Sequence, residues 1–440
     1  MSTKLEYLNG RIVLTTTDHS RENVAEGYEY YSLVQRYPGA EDLVFEKRKL
    51  DLKHTEKLRP YQVDGMEEWV RNGMRGVVVL PTAAGKTHIA IEAISRVSEP
   101  ALVVVPTLEL LSQWKVKLER IFGIEVGQIG GGANDLKDVT VSTFDSAYLK
   151  AKEVGNRFRL LVVDEVHHLA ASKFRDIARY YASPYRLGLT ATYERPDRMQ
   201  ESLIEMFGGK IFEMNYDELK EYLSDFEIIR VPVELDSDEE LEYERNRAVF
   251  LKYLRSHRMK LRGPWDFQRF ILSSWSNEGR TALMAWRRSR AIALNPRVKI
   301  DALRYILSIN RNDKTLIFTD DTSTAYTISR EFLIPAITYL TPLDERKRYL
   351  EMFRNGTLNG LVSSRVLDEG VDVPDAALGI IVSGSGSSRQ FRQRLGRVLR
   401  PAPGKKARMY EIVSSGTTEY RSSNRRRKGV PNSAGISEEE

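Results

Sequence analysis

A short apolar run followed by a loop that ends in glycine, lysine and threonine constrains the fold of this chain most. The run Gly76-Val77-Val78-Val79-Leu80 is typical of a buried strand, and Pro81-Thr82-Ala83-Ala84-Gly85-Lys86-Thr87 follows it directly. A strand that turns into a helix through such a loop presents backbone N–H groups that favour the charge of a triphosphate. The common pattern has glycine where this chain has Leu80. We therefore predict a nucleotide site within an α/β domain.

The residues of this loop have separate expected tasks. Lys86 is expected to reach the β- and γ-phosphates of ATP, and the Thr87 hydroxyl is expected to bind Mg²⁺. The other loop residues predicted to contact ATP are Thr82, Ala83, Ala84 and Gly85.

A second apolar strand, at residues 160–163, ends in the acidic pair Asp164-Glu165. We predict that Asp164 binds the metal held by Thr87, and that Glu165 orients and deprotonates the water that attacks the γ-phosphate. Most acidic pairs are solvated turns. The position of this pair after a strand, downstream of the phosphate loop, favours the catalytic interpretation.

The third motif is the arginine-rich segment at residues 390–400. Arg397 and Arg400 are three residues apart and would share one helix face, so both could point at the same phosphate. An arginine-rich helix is otherwise a solvated or nucleic-acid-facing surface, and this alternative stays open for Arg392 and Arg394. In this order the three motifs resemble those of superfamily 2 helicases and translocases over residues 55–415, and the resemblance makes Gln393 a further catalytic residue.

Further segments match the pattern of that superfamily, although each alone would also fit an ordinary strand or turn. The resemblance assigns adenine recognition to the segment containing Arg59 and Gln62, and ribose contact to the loop containing Asp372. It adds His167 to the ATP site and makes Thr190 and Thr192 the link between hydrolysis and strand movement. The residues expected to hold the phosphates of one nucleic-acid strand are Pro106, Thr107 and Thr143.

Length and strand pattern predict the architecture, because 440 residues exceed the size of a single core. Short apolar strands are predicted at 77–80, 101–105, 139–143, 160–163 and 187–189, and a second set at 315–319, 361–363, 378–383 and 409–413. The predicted fold is α/β, with two RecA-like parallel-sheet motor domains, a helical thumb-like insert and a small N-terminal domain. ATP is expected at the carboxyl ends of the strands, between the two sheets.

The predicted domains follow this pattern. They are a small N-terminal domain at 1–55, motor domain 1 at 56–215, an acidic connector and basic helical insert at 216–295, motor domain 2 at 296–420, and a disordered tail at 421–440. The insert mixes basic and aromatic residues, which neutralise phosphates and stack on bases. We predict DNA contacts by Arg255, Arg258 and Arg262. The spacing of Phe250, Phe267, Phe270 and Trp275 favours a small helical core instead.

Within superfamily 2, residues 164–168, 185–192 and 194–197 are similar to the XPB group of DNA translocases, which act in nucleotide excision repair and transcription initiation. The resemblance implies a DNA-stimulated ATPase with 3'-5' polarity, DNA contacts by Arg195 and Asp197, and a nuclease partner as in archaeal members. Pro196 stands where the group carries an acid, so we expect weak strand separation by the protein alone. An RNA-acting superfamily 2 helicase and an ATP-switched binding module remain alternatives, although Glu165 and Arg400 argue against a pure switch.

Composition limits the cofactors and the location. The chain has no cysteine, which excludes disulfides and thiolate metal sites and leaves Mg²⁺ as the only metal expected beside ATP. No signal peptide is visible, and no apolar stretch approaches the roughly 18 residues of a membrane span. We therefore expect a cytoplasmic protein with no membrane partner.

Overall fold

The computed structural model describes residues 3–16, 21–46, 48–82, 84–170, 173–193, 201–215, 218–222, 226–364, 376–384, 387, 390–391, 394–396 and 407–427. Its contacts divide the chain into two compact units, one at Met1–Tyr222 and the other comprising most residues after it. The domain boundaries given above remain predictions.

The first unit begins with a small sheet in the order β3-β2-β1-β4. Its elements are β1 (Lys4–Leu8), β2 (Arg11–Thr15), β3 (Arg21–Glu26), α1 (Tyr30–Arg36) and β4 (Glu41–Asp42). The Tyr7 hydroxyl donates to the carbonyl oxygens of Ala151 and Tyr180, at 3.0 and 2.9 Å. A Cβ at Gly155 would lie 2.0 Å from that hydroxyl, so only glycine lets the small sheet approach so closely.

The same unit contains an eight-stranded sheet in the order β12-β5-β11-β10-β6-β9-β7-β8, in which all pairs are parallel except β7 with β8. Its strands are β5 (Arg75–Val79), β6 (Ala101–Val105), β7 (Gly127–Gly130), β8 (Ala133–Asp135), β9 (Val139–Thr143), β10 (Leu160–Asp164), β11 (Tyr185–Thr190) and β12 (Lys210–Glu213). The five predicted strands are confirmed. Their apolar residues are buried, as in a parallel sheet that helices cover.

Helices connect these strands. They are α2 (Pro60–Arg71), α3 (Lys86–Val97), α4 (Leu108–Phe122), α5 (Phe144–Val154), α6 (Arg175–Tyr180) and α7 (Glu201–Phe207). Two of them begin at threonine caps at the carboxyl ends of strands. The Thr107 hydroxyl accepts from the backbone of Leu110, and the Thr143 hydroxyl accepts from the backbone of Ser146.

The second unit contains a six-stranded sheet in the order β13-β18-β17-β14-β16-β15, and all its pairs are parallel. Its strands are β13 (Phe226–Val233), β14 (Thr315–Thr319), β15 (Ala336–Ile337), β16 (Gly360–Ser364), β17 (Leu378–Ile381) and β18 (Ala407–Ser414). The four predicted strands are confirmed, and the α/β prediction with them. The segment predicted as an acidic connector contains an edge strand, β13, which pairs with β18 along its whole length.

The helices of this unit are α8 (Ser237–Ser256), α9 (Pro264–Leu272), α10 (Asn277–Leu294), α11 (Val298–Ile309), α12 (Thr322–Phe332), α13 (Leu343–Arg354) and α14 (Thr418–Arg426). Helix α14 occupies the start of the segment predicted to be a disordered tail. Its Arg426 is buried and pairs with Glu411, so the segment is anchored there. Among the described residues, no helix is long and apolar enough to cross a membrane.

Helices α8, α9 and α10 form the predicted helical insert. Phe250, Tyr253 and Phe270 are buried in its core with Ala282 and Leu283, and Phe267 packs against them. The placement of Trp275 in that core is wrong, because its side chain is 91% exposed. It lies in a one-turn 3₁₀ helix at Ser273–Trp275 between α9 and α10, where helical spacing no longer determines the buried face.

Candidate nucleotide site

The phosphate loop runs from the carboxyl end of β5 into α3. Lys86 Nζ donates to the carbonyl oxygens of Leu80 and Pro81, at 3.0 and 3.3 Å, so its ammonium lies over the loop. Gly85 has φ = +74°, and a Cβ there would lie 2.5 Å from Gln62 Nε2. The left-handed backbone conformation favours glycine, and a larger residue would displace the Gln62 amide.

The loop is supported from behind by the start of α2. The Gln62 side chain accepts from the backbone of Arg59 at 2.9 Å and donates to the carbonyls of Ala84 and Gly85, at 3.1 and 3.3 Å. The buried Tyr61 hydroxyl donates to the Ala84 carbonyl at 2.8 Å. Gln62 thus couples the helix to the phosphate loop, which the sequence did not indicate, and its contact with adenine remains a prediction.

The acidic pair lies at the end of β10. Asp164 Oδ2 accepts from Trp114 Nε1 of α4 at 3.2 Å, and Asp164 Oδ1 accepts from the backbone of Glu165 at 3.0 Å. Burial and, second, the charge of Glu165 raise the pKa of Asp164 to about 6, against the opposing effect of Lys86. Such a carboxylate is poorly solvated and gains most from a nearby cation.

Glu165 connects the acidic pair with β11. Its φ is +52°, a strained value for a non-glycine residue, and such strain concentrates at functional sites. Its Oε2 lies 3.3 Å from His167 Nδ1 and 3.5 Å from Thr190 Oγ1. The Thr190 hydroxyl, fully buried, also lies 2.9 Å from His167 Nδ1 and accepts from the backbone of Thr192 at 3.1 Å. Of the two residues predicted to couple hydrolysis to movement, Thr190 therefore contacts the predicted base, and Thr192 contacts Thr190.

The oxygen groups at this site suit magnesium. The Thr87 hydroxyl and the Asp164 carboxylate are the ligand types that Mg²⁺ prefers. The Thr82 hydroxyl is buried in the loop and has no hydrogen-bond partner among the described residues, which is the condition of a group that meets a ligand. The donor set thus fits a magnesium nucleotide.

Two of the residues predicted to contact a nucleic-acid strand, Thr107 and Thr143, serve as helix caps in the structure. Thr143, 9% exposed, uses its hydroxyl for the backbone and side chain of Ser146. Thr107 caps α4 directly after Pro106. Both caps lie at the carboxyl ends of neighbouring strands, β6 and β9, so two helix N-termini meet the same edge of the sheet.

The arginines predicted to contact DNA, Arg255, Arg258 and Arg262, are exposed in the helical insert, and we call them the insert arginines. In the part of the chain that the structure describes, none of the three forms a salt bridge. Trp265 and Trp275 are 80% and 91% exposed on the same insert. The insert therefore offers both unpaired positive charge and exposed aromatic rings.

Several predicted site residues lie outside the described residues. They are Ala83, Arg195, Asp197, Asp372, Gln393, Arg397 and Arg400. The solvated-surface alternative for Arg394 is wrong: it is 2% exposed, and its guanidinium lies 5.2 Å from the centroid of the Phe318 ring. Arg394 belongs to the interior of the second unit.

Sequence reasoning missed Trp114 and Tyr61 as parts of the site. Trp114 lies 50 residues before Asp164 in the chain, and nothing local distinguishes it from a core aromatic on an amphipathic helix. Tyr61 is next to Gln62 in the sequence, but only its hydrogen bond to the Ala84 carbonyl shows that it supports the phosphate loop.

Comparison with known proteins identifies two matching families. Residues 55–195 match the family described as "Type III restriction enzyme, res subunit", and residues 280–432 match "ERCC3/RAD25/XPB C-terminal helicase". The chain is similar to "DNA 3'-5' translocase XPB2" of Sulfurisphaera tokodaii, with 41% identity over 96% of this chain and 99% of that protein.

Two further comparisons extend the match. A "Putative DNA 3'-5' helicase Rad25" of Haloarcula marismortui is 33% identical over 82% of this chain, which spans 53% of that relative. The helicase domain of Pyrococcus furiosus Hef, at 20% identity, has a TM-score of 0.58 and covers 83% of this chain and 97% of its own, which supports the fold alone. By its sequence match along nearly the whole length of the first relative, this chain belongs to the XPB family of superfamily 2 helicases.

Proposed function

We propose that the protein hydrolyses ATP to move along DNA with 3'-5' polarity. The observation that carries the proposal is the contact of Glu165, the predicted base, with two residues. One is His167, which follows the same strand, and the other is Thr190, at the end of the neighbouring strand β11. This contact joins the site of hydrolysis to the segment that is expected to respond to it. The names of the relatives, a DNA 3'-5' translocase and a putative DNA 3'-5' helicase, support DNA as the substrate and 3'-5' as the polarity.

In this mechanism each residue has one task. The loop N–H groups and Lys86 bind the β- and γ-phosphates and offset their charge. Thr87 and Asp164 would hold Mg²⁺, which supplies further charge compensation when it is bound. Glu165 accepts a proton from the attacking water. Thr190 contacts both Glu165 and Thr192, so it can transmit the change in protonation of the Glu165 carboxylate to the segment that contains Thr192.

The insert arginines and the caps at Thr107 and Thr143 are the proposed DNA contacts. The insert arginines add positive charge that no described carboxylate neutralises, and exposed Trp265 and Trp275 add surfaces for stacking. Strand separation is proposed to be weak without a partner, because Pro196 removes a carboxylate and a backbone donor from the segment 194–197. A nuclease of the kind found with archaeal relatives is the proposed partner, in the cytoplasm.

The test is ATP hydrolysis measured without polynucleotide and with single-stranded DNA, duplex DNA or RNA. We expect stimulation by DNA rather than RNA, weak ATP affinity in Lys86→Ala, and normal affinity with kcat lowered by about 10²–10⁴-fold in Glu165→Gln. Lys150→Ala and Glu153→Gln remove the same groups from α5, which does not carry the loop, and should hydrolyse ATP normally. Normal turnover by Glu165→Gln would contradict the assignment, and stimulation by RNA alone would favour an RNA helicase.

A further inference from the structure

Two histidines and a glutamate meet beside the first turn of α3, outside the ATP site. One ligand atom from each of His54, Glu56 and His88 lies within 4.8 Å of the others. Glu56 Oε2 lies 3.0 Å from His88 Nδ1 and 4.0 Å from His54 Nε2. Around one zinc ion, ligands at about 2.0–2.1 Å in tetrahedral positions lie roughly 3.4 Å apart. The observed separations bracket that value.

The His54 ring is held as a metal-binding histidine usually is. Its side chain is 0% exposed, and Nδ1 donates to Glu92 Oε2 at 2.9 Å. That bond leaves the lone pair on Nε2, which is buried and has no hydrogen-bond partner among the described residues. A carboxylate on one ring nitrogen and a metal on the other is the common arrangement at zinc sites. An unpartnered buried nitrogen that faces Glu56 is otherwise costly.

We propose that His54, Glu56 and His88 bind a divalent first-row transition metal, with Zn²⁺ as the probe, and that a water molecule completes the site. Two imidazoles and one carboxylate suit such a metal better than Mg²⁺. The carboxylates of Glu56 and Glu92 balance its double positive charge. None of these four residues takes part in the proposed hydrolysis.

Two cations oppose metal binding and sharpen the test. Lys117 Nζ lies 3.2 Å from His88 Nε2, and Arg120 Nη2 lies 3.9 Å from Glu56 Oε1. A metal on His88 Nδ1 places the ring proton on Nε2, so the Lys117 ammonium must turn away. Replacing Lys117 by an uncharged residue should therefore strengthen metal binding.

The metal would join two segments that already touch. The backbone of His54 donates to Ser95 Oγ at 3.1 Å, and Ser95 Oγ donates to the Leu52 carbonyl at 2.7 Å. These bonds hold the strandless segment before α2 against α3. A metal bound to His88, the residue after Thr87, would add a second attachment between these segments. Helix α3 would then be harder to separate from the segment that contains His54 and Glu56.

The experiment uses full-length protein without a histidine tag, treated with a chelator and then titrated with Zn²⁺ against a chromophoric competitor. We expect one ion per chain, binding at least tenfold weaker in His54→Gln and Glu56→Gln, and binding several-fold tighter in Lys117→Met. His257→Gln removes an exposed histidine from the insert and should bind as the unaltered protein does. Co²⁺ should give the visible absorption of a site with nitrogen and oxygen ligands.

A thermal-unfolding measurement shows whether the variants still fold. Zn²⁺ should raise the midpoint of the unaltered protein and of His257→Gln, but not that of His54→Gln. Absence of stoichiometric binding overturns the proposal. Equal binding by the unaltered protein and His54→Gln also overturns it, because the ion is then held adventitiously. Neither readout involves ATP, so the result is independent of the proposed function.

Discussion

Replacing Lys299 by methionine should destabilise the second unit strongly. Lys299 lies in the first turn of α11 and is 1% exposed. Its ammonium donates to the carbonyls of Leu294 and Val382, at 3.0 and 2.7 Å, and to Glu419 Oε2 at 2.7 Å. It thereby ties the end of α10, the last helix of the insert, to the residue after β17 and to α14. Lys299 therefore helps to hold the insert against the rest of the second unit.

The expected magnitude follows from burial. Both side chains of the pair are almost completely buried, and burial lowers the pKa of Lys299 and raises the pKa of Glu419. Removal of one partner from a buried pair leaves an uncompensated charge and costs about 3–5 kcal/mol. For a unit of this size each kcal/mol lowers the unfolding midpoint by about 2–4 °C, so the shift should be roughly 6–20 °C.

The assay is differential scanning calorimetry of the full chain, in which the transition of the second unit should move. The control is Arg304→Met, since Arg304 pairs with Asp301 and Glu331 but is 52% exposed. Exposed pairs contribute about 0–1 kcal/mol. The double variant Lys299→Met with Glu419→Leu should recover part of the loss, because no buried charge is left alone.

Equal shifts in Lys299→Met and Arg304→Met would refute the reasoning. Such a result would mean that water reaches Glu419 in the variant, or that the carboxylate takes up a proton at little cost. Failure of the double variant to recover stability would instead locate the loss in the two carbonyl contacts of the ammonium or in the bond that the Ser414 backbone donates to Glu419.

Three further outcomes are expected. Trp114→Phe removes the indole bond to Asp164, which at about 1.5–3 kcal/mol for a charged acceptor should weaken binding of magnesium ATP by roughly tenfold or more. Thr190→Val removes the hydroxyl between His167 and Glu165, and should lower DNA-stimulated kcat by roughly tenfold while ATP affinity changes little. Reversing the insert arginines to glutamate should weaken DNA binding and reduce the log–log salt slope by about 0.7–0.9 for each lost phosphate contact.

Matched variants distinguish these outcomes from simple destabilisation. Trp69→Phe removes an equally buried indole N–H, which donates to the Arg186 carbonyl instead of an acid, and should leave ATP affinity unchanged. Thr140→Val removes a buried hydroxyl from β9 of the same sheet and should lower stability alone. An unchanged salt slope after reversal would make the insert arginines an ordinary solvated surface.

The sequence predicted the sheets well because most of the predicted strands contain short runs rich in valine, leucine and isoleucine. When loops containing glycine and charged residues flank such a run, as at β6 and β10, a buried strand is the structure that fits it best. The phosphate loop and the acidic pair were also predictable, because their residue types follow strand ends. Whether the assigned residues perform the assigned tasks remains a prediction.

The sequence failed where composition and burial diverge. Strand β13 was hidden between acidic residues, and its Pro232 suits the edge strand that it forms. Arg394 and Lys299 carry charges that predict exposure, yet the fold buries both, the second with an acid that lies far along the chain. For Trp275 the error is the reverse: its apolar side chain predicts burial, but a break between two helices leaves it exposed.

The topology of the eight-stranded sheet explains why Thr190 reaches Glu165. Strand β11 lies between β5 and β10, and its register pairs Thr190 with Val79 and Leu189 with Asp164. The end of β11 must therefore lie between the phosphate loop and the acidic pair. A register shift of one residue would turn Thr190 to the other face of the sheet and bring Leu189 or Ala191 toward the acids. The buried hydroxyl at this position is thus set by strand order and register together, which a linear motif alone does not specify.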